Sequence, residues 1–456
     1  MARKKIREYD AKRLLAWHLK RLKGIHIPVQ VAQVVDGGPS LAQLAKPTVD
    51  TEDHVTESVS ETPVLQNGFG DHLFEEWNND KSWLMESKLV VKPDMLFGKR
   101  GKSNLVKLNL NLDEASEIIE SLLGSSLEVE GIKGRVTHFI VEPFVEHDAE
   151  YYFSVQSCRE GNLVSFGCCG GVEIEQNWDK VKQVTIPAGE DPTGLDTILA
   201  NQDLSFQVRE QLEQFIKGCY LVFEDLDMTL LEMNPLTLND RNHVIPLDMR
   251  CELDTYAMFK NQKKWLDIEF PESWGAQFTD EEHFIRSLDE KSGASLKLSL
   301  IHPKGHIWTM VAGGGASVIY ADTVVDLGMG DELANYAEYS GNPKEEETYL
   351  FARTILDLAT RYPDGKKRAL LVGGGIANFT DIAATFAGII QALKDFHGKL
   401  QVAKLKVFVR RGGPNYETGL RLMEELGEEL DIPIEVYGPD SNMTCIVQKA
   451  IDWIRD

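Results

Sequence analysis

The sequence predicts an α/β protein of two domains, the second built on a parallel sheet. Three observations carry that prediction. A chain of 456 residues exceeds what one ordinary hydrophobic core serves. Beyond about residue 286, apolar runs of strand length alternate with amphipathic runs of helix length, the pattern of a parallel sheet with crossover helices. Two glycine clusters stand where strands hand over to helices: Gly313-Gly-Gly315 after Ile307-Trp-Thr-Met-Val-Ala, and Gly373-Gly-Gly375 after Arg368-Ala-Leu-Leu-Val. A helix N-terminus presents unpaired N–H groups and glycine admits a ligand close to the backbone, so both turns suit anions.

Along the first half, Tyr9, Leu14, Leu15, Leu19 and Leu22 recur at helical spacing from Glu8 onward. Residues 36–68 are rich in Ser, Thr, Asp, Glu, Gly and Pro and read as a mobile acidic insertion. Lys88-Leu-Val-Val-Lys92 predicts a strand, Gly98-Lys-Arg-Gly-Lys102 a cationic glycine loop, Leu105–Leu110 an alternating strand and Leu112–Leu123 a helix. Strands are expected at 139–144, 151–156 and 163–168, and a helix at 208–223. Thr229–Glu232 and His243–Leu247 read as paired strands around the turn at 239–242. Residues 267–280, with a proline at 271 and little periodicity, read as interdomain linker; the domains are placed at 1–270 and 286–456, with 271–285 between them. In the second half, strands are expected at 296–301, 307–312, 369–373, 404–410 and 433–437, and helices at 316–327, 345–361, 379–396 and 416–426.

Hydrophobic residues make up 43% and charged residues 26%, a soluble globular composition. The formal charge of −24 argues against a nucleic-acid surface, which would repel the protein. No apolar run approaches the ~18 residues that span a bilayer. The basic start, Met1-Ala-Arg-Lys-Lys, lacks the apolar core of a secretory signal, so a cytoplasmic protein is expected. Six cysteines without C-x-x-C spacing suit a reducing compartment.

Several residue groups can carry chemistry. Lys99, Arg100 and Lys102 surround Gly101, with Lys92 on the preceding strand; this is either a polyphosphate cradle or a solvated turn. Glu232 and Asn234 alternate on one strand face, and Asp248 lies on the neighbouring strand end. A carboxylate with an amide oxygen suits Mg²⁺, though turn N–H groups could equally satisfy them. Asn378 and Thr380 follow the second glycine cluster at an expected helix start, as ligand donors or as caps. Arg411 ends a strand beside Gly412-Gly413, as a carboxylate contact or a surface arginine. His302 and His306 flank a hairpin turn and read as solvated.

Longer phrases carry a resemblance. Glu8-Tyr-Asp-Ala-Lys, Val90-Val-Lys-Pro, Lys99-Arg-Gly-Lys, Val141-Glu-Pro-Phe, Gly170-Gly-Val-Glu and Glu232-Met-Asn-Pro-Leu resemble the ATP-grasp half of the succinyl-CoA synthetase superfamily. Asp289-Glu-Lys-Ser-Gly-Ala-Ser, Trp308-Thr-Met-Val-Ala-Gly-Gly-Gly-Ala-Ser-Val, Glu338-Tyr-Ser-Gly, Ile376-Ala-Asn-Phe-Thr and Val409-Arg-Arg-Gly-Gly-Pro-Asn-Tyr are similar to its ATP-citrate lyase family. The resemblance covers nearly the whole chain outside residues 24–75 and implies an ATP-grasp domain followed by a flavodoxin-like α/β domain. It implies that Lys92, Lys99, Arg100 and Gly101 contact nucleotide phosphates, and that the backbone of Glu142, Pro143 and Phe144 reads adenine. Asn234 and Asp248 are then Mg²⁺ ligands, and Glu232 meets a phosphohistidine. Gly314 and Gly315 open a helix whose N-terminus faces that phosphate. Ser340, Gly341, Asn378, Thr380, Phe396 and Arg411 form the citrate site.

Two positions depart from the family: Cys169 where relatives carry Glu, and Phe396 where animal members carry Tyr. No phosphohistidine segment and no CoA-binding domain is recognisable in the chain. The resemblance therefore implies a second subunit carrying the CoA-binding, phosphohistidine and lyase domains, with ATP, citrate and CoA as substrates and a hetero-oligomer as the working form. Citryl-CoA synthetase and succinyl-CoA synthetase are the alternatives; Ala377-Asn-Phe-Thr and Arg410-Arg-Gly-Gly-Pro-Asn-Tyr argue against the latter.

Overall fold

A computed structural model describes residues 3–46, 80–172, 174–190, 192, 194–200 and 202–456. The chain divides into two compact units, Met1–Ala276 and Gln277–Asp456. The strands of the first unit are β1 (Arg3–Ile6), β2 (Ala32–Val35), β3 (Leu89–Pro93), β4 (Lys107–Leu110), β5 (Ser126–Val129), β6 (Ile132–Arg135) and β7 (His138–Pro143). They continue with β8 (Tyr151–Cys158), β9 (Gly161–Gly167), β10 (Lys182–Ile186), β11 (Met228–Leu238), β12 (Val244–Pro246) and β13 (Met249–Asp254). One sheet runs β1-β13-β11-β8-β9-β10, with β12 on the far end of β11; a smaller one runs β2-β7-β3-β4. All their pairings are antiparallel.

The larger sheet buries Phe153, Val155, Phe166, Leu231 and Met233 against helices Glu8–Lys23 and Phe206–Asp225. Tyr9, Leu14, Leu15 and Leu19 are buried as their spacing requires, and Gly24 closes that helix in a left-handed conformation. The smaller sheet forms a separate core with Val34, Leu89, Val91, Phe139 and Val141.

Three expectations need correction here. Residues 36–46 of the acidic stretch are ordered: Asp36 pairs with Arg135 at 2.6 Å, and Ser40 caps the short helix Leu41–Leu44, whose Leu41 is buried. Residues 47–68 lie outside the described residues. The hairpin around 239–242 joins Leu236–Leu238 to Val244–Pro246, whereas Met228–Met233 pairs with β13 instead. The stretch read as linker is structured at both ends. Trp274 donates to the Ile132 carbonyl at 3.1 Å and packs on Phe97 at 4.7 Å, and helix Asp280–Lys291 begins at a Thr279 capping box.

The second unit holds β14 (Ser295–Leu300), β15 (Ile307–Ala312), β16 (Asn335–Ser340), β17 (Arg368–Gly374), β18 (Leu405–Arg410) and β19 (Ile434–Tyr437) in the order β14-β16-β15-β17-β18-β19. From β15 onward all pairings are parallel, and β14 adds antiparallel to the β16 edge. The parallel part thus has the 2-1-3-4-5 order of flavodoxin-like folds, with its direction reversing between β15 and β17. In such sheets ligands collect beyond the carboxyl ends of the strands at that reversal. Strand β16 and helix Cys445–Arg455 are elements that the sequence pattern had not separated. His306 is buried rather than solvated: its ring bridges Glu332 and, at 2.8 Å, Asp364.

Candidate functional site

Two sites emerge, one in each unit. In the first, a cleft of about 660 Å³ is lined by Lys92, Lys99, Arg100, Gly101, Glu142, Pro143, Phe144, Asn234 and Asp248. Every residue expected to touch the nucleotide or its metal therefore faces one space. Glu232 faces an adjoining recess of about 240 Å³, which it shares with Lys99, Arg100, Asn234, Asp248 and Arg250.

The floor of this cleft is a cluster of buried charges. Lys92 Nζ reaches Glu8 Oε1 at 2.7 Å, Glu142 Oε2 at 2.6 Å and the Leu247 carbonyl at 2.7 Å. Arg100 reaches Glu8 Oε2 at 2.5 Å, the Pro93 carbonyl at 3.2 Å and Asp248. Lys12, wholly buried, bridges Glu8 at 2.8 Å and Glu142 at 2.6 Å. Burial works to raise the Glu8 carboxyl, but Arg100, Lys12 and Lys92 outweigh it and hold the group well below the usual range. Burial opposes the charge on Lys92 too, and Glu142, Glu8 and Asp248 more than restore it. Asp94 is pushed up to about 6 by burial and the Glu8 charge, although it accepts the Glu8 and Tyr9 N–H groups.

The metal candidates are adjacent: the Asn234 N–H donates to the Asp248 carbonyl at 3.0 Å. Asn234 Oδ1 accepts the Gly171 N–H at 2.7 Å, which leaves it a second lone pair. Among the described residues no group of three or more His, Cys, Asp or Glu side chains gathers as a metal cage. One carboxylate and one amide oxygen fit Mg²⁺, whose remaining positions are taken by phosphate and water. Glu232 accepts from the Tyr152 hydroxyl at 3.0 Å. The Phe144 N–H is already bonded to the Lys88 carbonyl at 2.6 Å. Lys99 is exposed and paired with Glu130.

In the second unit, four adjacent parallel strands bring their carboxyl ends together. Ser340 ends β16 and Gly341 follows it, Gly313–Gly315 follow β15, Gly374 ends β17 with Gly375 after it, and Arg411 follows β18. Gly314 starts helix Gly314–Asp326, as its sequence implies, and the Glu338 carboxylate lies about where a Cβ on Gly314 would crowd it, at 3.3 Å. Ser340 Oγ donates to that same Glu338 at 2.9 Å. Gly341 has φ +76°.

The second glycine cluster works differently from the first. The following helix, Ile382–Val402, starts with Asp381 as N-cap, accepting from Ala384 N at 3.0 Å. Asn378 and Thr380 therefore stand in the loop before the helix and not at its first turn. The glycines make room for neighbours: a Cβ on Gly373 would lie 2.4 Å from the Tyr320 ring, and one on Gly374 would lie 2.8 Å from Arg411 Nη1. Arg411 is 4% exposed, which rules out a surface arginine. Its Nη1 donates to the Gly375 carbonyl at 2.6 Å, and its Nε has no partner. Arg410 beside it is anchored by three carbonyls, those of Gly374, Pro439 and Ser441. Both Nη atoms of Arg410 are thus tied down, whereas only Nη1 of Arg411 is, which leaves its fork freer to meet a ligand.

Phe396 is not brought to this edge. It lies 14 residues into helix Ile382–Val402, roughly 21 Å along the axis, in a groove with Tyr349, Arg353 and Lys399. Cys169 is a free thiol among six. Lys12, Asp94, Tyr152 and Asp381 were not singled out from the sequence. Lys12 carried a local signal, a Glu8–Lys12 pair at i,i+4 that ordinarily marks a solvated helix face, and Asp381 is a capping residue type.

Comparisons with known proteins match both units. A family model described as the ATP-citrate synthase ATP-grasp domain fits residues 2–265, and one described as ATP citrate lyase citrate-binding fits residues 276–453. The chain is 53% identical over 454 residues to ATP-citrate synthase alpha chain protein 3 of Arabidopsis thaliana, covering 100% of this chain and 99% of that one. It is 45% identical over 384 residues to the ATP-citrate synthase of Homo sapiens, covering 82% of this chain but 34% of the human one. The structure of ATP citrate lyase from Methanothrix soehngenii in complex with citrate and coenzyme A matches with TM-score 0.80 at 40% identity, covering 99% of this chain and 100% of that chain.

Proposed function

The chain belongs to the ATP-citrate lyase family as its citrate-binding ATP-grasp subunit, and from that premise we propose how it divides the reaction with a partner. The first unit takes Mg-ATP in the cleft between Lys92, Arg100 and Phe144. Its γ-phosphoryl passes to a histidine nitrogen of a second subunit at Glu232, releasing ADP. The phosphohistidine then meets the helix N-terminus at Gly314 and Gly315, where backbone N–H groups favour phosphate. A carboxylate oxygen of citrate, held by Arg411 with Asn378, Thr380, Ser340 and Gly341, attacks phosphorus and frees the histidine, giving citryl phosphate. The thiolate of CoA, bound mainly on the partner, displaces phosphate to form citryl-CoA, which the partner cleaves to acetyl-CoA and oxaloacetate. Holding the phosphoryl group covalently lets citrate be positioned before transfer.

Asn234 and Asp248 would hold the magnesium ion, which when bound offsets phosphate charge. Lys92 and Arg100 supply the protein's own compensation: incoming phosphates take over bonds that Glu8, Glu142 and Asp248 now fill. The location is proposed as cytoplasmic; among the described residues no helix is long and apolar enough to cross a membrane.

The observation that carries this reading is the buried Arg411 with spare donors at the sheet reversal, in a chain that also holds the nucleotide cleft. Its test is thioester formation from CoA and ATP by the reconstituted enzyme, with citrate or succinate. Citrate is expected to serve; activity with succinate alone overturns the reading. Acetyl-CoA as product, as opposed to citryl-CoA, distinguishes the lyase from a synthetase-only partner.

A further inference from the structure

Tyr339 lies on β16 and is wholly buried, its ring 6.3 Å from that of Phe351. Its main chain and its side chain serve different glycine clusters. The Tyr339 carbonyl accepts the Gly313 N–H at 3.0 Å and so fixes the turn into helix Gly314–Asp326. Its hydroxyl lies beside the Arg411 guanidinium, close enough to feel its charge and to approach hydrogen bonding, yet no well-aligned hydrogen bond joins it to Arg411 or to any other group. Arg411 Nε is likewise buried without a partner.

Two unpaired polar atoms side by side in a packed interior are costly, and native structures rarely keep them without a use. The neighbouring arginines show that the cost is local. Arg368 and Arg410 also leave Nε unpaired, but both Nη atoms of each donate to backbone carbonyls, which lock them in place. Arg411 is held by the Gly375 carbonyl alone, in a slot that the missing side chain of Gly374 keeps open.

We propose that Tyr339 is a further positioning residue for the substrate, acting through Arg411. It rests on the reading that Arg411 grips a citrate carboxylate. A carboxylate arriving at the strand ends competes with the Gly375 carbonyl for the Nη donors. As the guanidinium turns toward it, Nε comes into line with the Tyr339 oxygen, which accepts a hydrogen bond from the Nε–H and fixes the plane of the fork for a two-pronged grip. The pair is unsatisfied in the empty site and satisfied in the loaded one, so the hydrogen bond is formed only on binding. Tyr339→Phe deletes only that oxygen.

Titration calorimetry of the full chain with citrate, beside thermal unfolding of the unliganded chain, tests this. Tyr339→Phe is expected to weaken citrate binding about tenfold, the worth of one hydrogen bond to a charged group. Mg-ATP binding is expected to be unchanged, and unliganded Tm equal to or above wild type because an unpaired hydroxyl is removed. Unchanged citrate affinity in the variant overturns the proposal, and so does a lowered Tm with a matching loss of Mg-ATP binding, the mark of a merely structural hydroxyl. A wild-type chain that binds no citrate refutes the underlying reading instead; the same pair of proteins, titrated with the carboxylate that wild type does bind, then decides on Tyr339.

Discussion

Replacing Lys12 by Met tests whether the buried charges are a single construction. The wholly buried ammonium sits between Glu8 at 2.8 Å and Glu142 at 2.6 Å, and also donates to the Leu247 carbonyl at 3.1 Å. Met fills most of the volume, so the loss is electrostatic. Removing one member of a buried ion cluster costs ~3–5 kcal/mol, because the remaining charge stays desolvated and under-compensated. Glu8 keeps Lys92 and Arg100, and Glu142 keeps Lys92, which places the cost at the lower end, about 3 kcal/mol. For a unit of this size, at roughly 2–4 °C per kcal/mol, the first transition in scanning calorimetry falls by about 6–12 °C. Adding Glu142→Gln removes the stranded carboxylate, so the double variant should recover part of that loss. A single variant that melts within about 2 °C of wild type, or a double variant that loses the sum of both singles, refutes the argument.

Other outcomes follow from the same geometry. Gly374→Ala sets a methyl 2.8 Å from Arg411 Nη1 and should weaken citrate binding in calorimetry while leaving Mg-ATP binding intact. Gly373→Ala meets the rigid Tyr320 ring at 2.4 Å, and overpacking of ~1–3 kcal/mol should lower the melting temperature of the second unit. Trp274→Ala should destabilise the first unit by ~3 kcal/mol or more, the cost of a lost buried aromatic, and lower its melting temperature; an unchanged melt would return 271–276 to the status of a free linker. Asp10 is pushed up to about 7 by burial, above its unfolded value near 3.8. The folded protein therefore binds this proton first, and the group adds stability as pH falls from 7 toward 4, at ~1.4 kcal/mol per pH unit. Denaturant titrations across that window should lose this contribution in Asp10→Asn, and an unaltered pH slope would discount the burial argument.

What the sequence made legible was local in origin. Apolar runs between glycines located β15 and β17 because both strands are buried on two faces, and helix Glu8–Lys23 announced itself by its leucine spacing. Strand β16, Asn335-Tyr-Ala-Glu-Tyr-Ser, was missed since polar Asn335 falls on its buried face and aromatic Tyr336 on the other, which breaks the apolar alternation. The helix after β17 was started too early because Asn378, Thr380 and Asp381 are all capping types, and only the structure shows that Asp381 accepts from Ala384. His306 read as a solvated turn residue, yet its partners lie 26 and 58 positions away. For the same reason Lys12 looked like half of an exposed helical pair: Glu142, the partner that buries it, comes 130 residues later. Phe396 was placed by resemblance alone, and the groove it lines holds the cations Lys399 and Arg353 but none of the other residues expected at the citrate site.

The charge cluster under the cleft has one more consequence. In the empty protein Lys92 and Arg100 already hold carboxylates that are tethered beside them, present at an effective concentration no free anion matches. A single phosphate or sulfate offers one anionic group in exchange and gains little. A nucleoside triphosphate brings several linked phosphates, so each contact made raises the chance of the next. Selectivity for polyphosphate then comes from competition inside the site, and a strongly acidic chain needs no positive surface to achieve it.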